Sequence, residues 1–118
     1  MRPAALLILA SLLTGGCKSA ANTLTECGRI ENEIENEIAK GPGTCTTLTD
    51  CACYPGGSKA SGCGGIARKE TADRIKQLTD ERRTKNCSEV ACAAWICVPD
   101  CVSGTCTNGS VSVKTTAP

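Results

Sequence analysis

The chain has 118 residues with 11 cysteines, one tryptophan, one tyrosine, no phenylalanine, no histidine and a formal net charge of +1. Without histidine, Ser-His-Asp and Cys-His nucleophile pairs, histidine general bases and His-bearing zinc sites are excluded. A near-neutral chain with two aromatic residues also lacks the basic, base-stacking footprint of a nucleic-acid binder, so no nucleic-acid partner is expected.

The first residues read as a targeting segment. Arg2 supplies a positive start, and the uncharged run "AALLILASLL" follows it. That run is half the roughly 20 apolar residues a membrane-spanning helix needs, and it fits a secretory leader. Two cleavage sites compete. "LLTGGC" resembles the lipobox of bacterial lipoproteins, although Thr14 stands where that motif usually has Leu. Processing there makes 1–16 the signal peptide and Cys17 the lipid-attachment residue. Several acyl chains on it would give a stable membrane anchor. Cleavage after the small residues "SAA" makes 1–21 the leader and discards Cys17. Either way ten cysteines remain: Cys27, Cys45, Cys51, Cys53, Cys63, Cys87, Cys92, Cys97, Cys101 and Cys106. An even number in an exported chain reads as a disulfide framework.

Residues 17–24 read as a polar tether, and 25–113 as a single disulfide-rich domain. A helix is expected over about 25–40. There Ile30, Ile34 and Ile38 form a narrow apolar stripe, with Cys27 at its start. Thr23 with Glu26, or Thr25, would cap it, and "GPG" at 41–43 stops it. The acidic "ENEIENE" reads as a solvated helix face, because calcium loops need a turn glycine and converging oxygens.

"TCTTLTDCACYP" (44–55) is Thr-rich and reads as extended. "CAC" at 51–53 places two cysteines on one strand face, each bonded elsewhere. It lacks the C-x-x-C spacing of redox pairs. "GGSKASGCGG" is a loop pinned by Cys63. The second helix, about 66–85, is rich in helix formers and in opposite charges four residues apart, at Lys69/Asp73, Glu70/Arg74, Lys76/Asp80 and Glu81/Lys85, with Asn86 as its stop. Its thin apolar face is Ala67, Thr71, Ala72, Ile75 and Leu78, so most of its surface is expected to be solvated. Arg68–Lys85 carries seven basic and four acidic residues, interleaved as on a salt-bridged face.

Beyond Cys87 the cysteines crowd together. "WICV" and "VSV" have strand composition, and "VSGTC" and the Asn108-Gly109 pair carry turn signals, the latter favouring a tight hairpin. A small antiparallel sheet with Cys97, Cys101 and Cys106 in or beside it is expected. Trp95 should pack in the core against a bridge, and 114–118 should fray. The fold class is thus α+β: a small disulfide-rich domain of two helices and a small antiparallel sheet.

Large apolar residues are few, so bridges worth about 2–4 kcal/mol each must supply much of the stability. No metal and no cofactor are expected. So small a domain is also ill suited to a cleft with two facing carboxyls, and no enzymatic activity is expected.

The order of leader, "LTGGC", "CTTLTDC", polar helix and "CVPDCVSGTC" resembles small cysteine-rich bacterial lipoproteins of the myxobacterial type, whose function is uncharacterised. The resemblance implies a cell-envelope protein held to a lipid membrane, at the bacterial outer membrane or cell surface, acting as a structural or binding module toward an unknown protein partner. Alternatives are a secreted soluble protease inhibitor, with Lys59 exposed on "YPGGSKASGCGG", or a small secreted toxin or effector.

Overall fold

The computed structural model describes residues 18–93 and 96–109. Cys17 and the leader before it, Trp95, the strand expected at "VSV" and the fraying expected over 114–118 lie outside those residues. In chain order the elements are helix α1 (Lys18–Ile38), a 3-10 turn (Leu48–Asp50), strands β1 (Cys51–Pro55) and β2 (Gly64–Arg68), helix α2 (Lys69–Thr84), and strands β3 (Pro99–Val102) and β4 (Thr105–Asn108). The fold is α+β, with two two-stranded antiparallel sheets where a single sheet was expected.

The two helices pack face to face. Ile30 and Ile34 of α1 meet Ile75 and Leu78 of α2, and all four are fully buried. Ile38, Tyr54 and Ala60 flank this cluster. The isoleucine stripe is the buried face, as its four-residue period requires. α1 already includes Lys18, the first described residue, so 18–24, read as a tether, are helical, and no cap falls at Thr23 or Thr25. It ends where expected: Gly41 at φ 81° takes the left-handed turn.

α2 is shorter than expected at its start. Ile66–Arg68 belong to β2, paired in antiparallel register with β1 so that Cys53 faces Ile66 and Ala52 faces Ala67. Ladder pairing and the burial of Ala67 outweigh the local helix preference there. At its far end Asn86 turns left-handed at φ 55°, the expected stop.

The second hairpin reverses at Ser103 (φ 53°) and Gly104 (φ 77°). Two consecutive left-handed residues match the twist of a two-residue hairpin. Within the described residues Asn108-Gly109 forms no left-handed hairpin turn, since neither residue has a positive φ. Asn108 closes β4 instead, its carboxamide accepting from the Val98 N–H and donating to the Ile96 carbonyl, each at 3.0 Å. Ile96–Val98, read from "WICV" as strand, is irregular. On its other side β4 is flanked by 43–45: Cys45 N–H donates to Gly104 O, and Cys106 N–H to Gly43 O.

Candidate functional site

The covalent framework comes first, because it positions everything else. The ten expected cysteines pair as Cys27–Cys87, Cys45–Cys101, Cys51–Cys106, Cys53–Cys97 and Cys63–Cys92. Cys27–Cys87 ties α1 to the end of α2. Cys63–Cys92 pins the β1–β2 connection to the segment after α2. The other three bolt β1 and the stretch before it to the β3–β4 hairpin. "CAC" behaves as read: Cys51 and Cys53 run to Cys106 and Cys97 rather than to each other. The sulfurs of Cys45, Cys51 and Cys106 lie within 4.8 Å of one another. All three are oxidised, so they present no thiolate to a metal.

Five disulfides fit an oxidising, extracytoplasmic environment. Among the described residues no helix is long and apolar enough to cross a membrane.

The second feature is a buried arginine paired with a half-buried glutamate. Arg82 is 5% exposed. Its guanidinium donates to Gly57 O at 3.2 Å and to Ser88 O, and its Nε faces Glu31 Oε2 at 3.4 Å without a hydrogen bond. The other carboxylate oxygen of Glu31 accepts from the Ala60 N–H at 2.5 Å. One pair therefore gathers α1, α2, the 56–63 connection and the segment after α2. Within the connection, the buried hydroxyls of Ser58 and Ser61 bond each other at 2.7 Å and accept from each other's backbone N–H.

Arg82 and Glu31 line a depression of about 390 Å³ beside Cys27–Cys87, rimmed by Lys59, Glu89 and Val90. Lys59 is exposed, as expected. Its turn coils on itself, with Gly62 N–H donating to Ser58 O at 2.8 Å.

Above this pair an exposed ion ladder spans the two helices. Arg29 contacts Glu26, Glu33 and Glu81, and Lys85 reaches Glu26. The Arg29 hydrogen bond, then that of Lys85, holds the Glu26 carboxyl below its ordinary value. Glu81 and Lys85, expected to pair with each other along α2, are bonded across to α1 instead. Of the expected four-apart pairs, Lys69–Asp73 forms at 3.5 Å. Burial raises the Tyr54 hydroxyl.

Sequence reading missed Arg82, Thr79 and the serine pair as interior groups and the half-buried Glu31 as their partner. It assigned Arg82 and Glu31 to solvated faces. The available signal was the helical period, since 75, 78, 79 and 82 fall on one stripe. The buried Thr79 hydroxyl is satisfied by the Ile75 carbonyl one turn back, at 2.8 Å.

No protein-family model, no curated protein and no solved structure matches this chain.

Proposed function

We propose that the protein is a non-catalytic binding or structural module of the bacterial cell envelope, exported and held to the membrane by lipid on Cys17. The observation carrying the reading is the framework itself. Five long-range bridges brace a domain whose fully buried aliphatic core is Ile30, Ile34, Ile75 and Leu78. Such bracing suits a rigid surface outside the cytoplasm. Apolar side chains stay exposed around the second hairpin: Ile96 at 74%, Val102 at 51% and Val98 at 47%, with Leu48 at 54% on the 3-10 turn. They are the surface offered to a protein partner.

The protease-inhibitor alternative draws no support from the turn around Lys59. A protease cleft takes an extended segment, whereas this turn is closed by its own Gly62–Ser58 bond. The anchor is tested by expressing the full chain in a bacterium and separating membrane from soluble fractions. The native chain should sediment with membranes, with an acylated mass starting at Cys17, and Cys17→Ser should leave them. A mature mass starting at Asn22 ends the lipoprotein reading.

A further inference from the structure

Two of the five bridges share one small volume, and their four cysteines have a second, wholly local way to pair. Cys45, Cys51 and Cys106 bring three sulfurs within 4.8 Å of one another. The fourth cysteine, Cys101, sits directly opposite Cys106 in the β3–β4 register. Those two make no ladder bond with each other: Cys101 N–H donates to Asp100 Oδ1, and Cys106 N–H to Gly43 O. Facing residues in such a non-hydrogen-bonded pair lie about 4.5 Å apart at Cα with side chains on one face. That separation lies inside the range a disulfide spans. Cys45 and Cys51 bracket a tight turn held by Asp50, whose carboxylate accepts from Thr46 N–H at 2.8 Å and Thr47 N–H at 3.2 Å.

We propose that Cys45, Cys51, Cys101 and Cys106 form one thiol–disulfide exchange unit with two pairings. The first is the observed Cys45–Cys101 with Cys51–Cys106, and the second is Cys45–Cys51 with Cys101–Cys106. A small thiol such as glutathione catalyses the interchange without net oxidation or reduction. Its thiolate attacks Cys101 Sγ in the Cys45–Cys101 bond, which is half-buried, while Cys51 and Cys106 are buried. A mixed disulfide forms on Cys101 and Cys45 leaves as thiolate. Cys45 then attacks Cys51 Sγ, the Cys45–Cys51 bond forms, and Cys106 leaves as thiolate. Cys106 attacks Cys101 Sγ, closes Cys101–Cys106 and returns the small thiolate.

The observed pairing joins residues 56 and 55 apart and straps 45–51 onto the hairpin. The local pairing closes short loops, which cost less entropy and form first during oxidation. It leaves the hairpin tied by Cys53–Cys97 and backbone contacts alone. The exchange therefore docks and undocks the hairpin that carries Val98 and Val102.

Equilibration of the native full chain in a glutathione redox buffer, followed by acid quench and disulfide mapping by fragmentation mass spectrometry, tests this. The expected product is an isomer of unchanged intact mass containing Cys45–Cys51 and Cys101–Cys106, appearing before Cys27–Cys87 or Cys63–Cys92 opens. Native pairing that persists until complete reduction, or new pairs drawn indiscriminately from all ten cysteines, overturns the proposal. A Cys45→Ser/Cys51→Ser variant gives an independent readout. Its two remaining thiols at 101 and 106 should be lost to a thiol reagent after air oxidation. Two reactive thiols persisting in the oxidised variant would contradict it.

Discussion

At the scale of single residues, Arg82 shows how polar groups organise a domain short of apolar ones. Its guanidinium satisfies two backbone carbonyls from separate segments and faces a carboxylate on the opposite helix. Hydrogen bonds to a charged group are worth about 1.5–3 kcal/mol each, and Arg82 makes two, whereas the ion pair adds less because the Glu31 side chain is 23% exposed. Arg82→Ala should therefore destabilise by about 3 kcal/mol in denaturant titrations. Glu31→Gln, which keeps an acceptor for the Ala60 N–H, should cost clearly less. Apolar replacement of both partners should recover little of the loss, since the Ser88 carbonyl loses its Arg82 donor and the Gly57 carbonyl keeps only the Val90 N–H. Arg82 itself was not legible as a buried group: its charge pointed outward and only the helical period pointed inward.

Asp50 acts by a different route. Thr46 and Thr47 N–H groups, with the Thr46 hydroxyl, hold its carboxyl below the usual range. A lowered folded value means stability that is present above the unfolded value of about 3.9 and lost as pH falls through the folded one. Glu26 and Glu70 are shifted the same way. The chain has no histidine, so thermal melts should be nearly flat between about pH 5 and 8 and fall only in acid. Asp50→Asn should lower the melting temperature at neutral pH and shallow the acid limb.

At the scale of elements, the helices were the legible part. The 30–34–38 stripe identified the buried face of α1, and 75 and 78 that of α2. Ile34→Ala should cost about 3 kcal/mol, because the four-residue cluster around it has little else to collapse into the gap. The boundaries were less legible, for reasons of tertiary context. Ile66–Arg68 have helix-compatible composition but are taken by the β1 ladder. The turn signal in "VSGTC" is realised at Ser103-Gly104, whereas at Asn108 the side chain is used to clamp Ile96 and Val98. Cysteine pairing was beyond reach, since ten cysteines admit hundreds of connectivities.

At the scale of the whole molecule, bridges and core do comparable work. Each bridge closes a loop of 29 to 60 residues, the range in which cross-links are worth about 3–4 kcal/mol before strain and non-additivity. Even with non-additivity, five of them equal or exceed the stability of an ordinary domain, about 5–15 kcal/mol. Full reduction should therefore unfold the protein, and native circular dichroism in a reduced, alkylated sample would contradict that.

Every domain cysteine is bridged, and the proposed function places the bridged module outside the cytoplasm. The most direct test is the intact mass of the native protein, purified from its host, before and after denaturing reduction. The predicted result is a mature chain starting at an acylated Cys17 that reacts with no thiol reagent before reduction. On reduction it gains ten hydrogens, one for each domain cysteine. Free thiols in the native sample, or a smaller gain on reduction, would contradict the framework, and an unmodified chain starting at Asn22 would contradict the anchor.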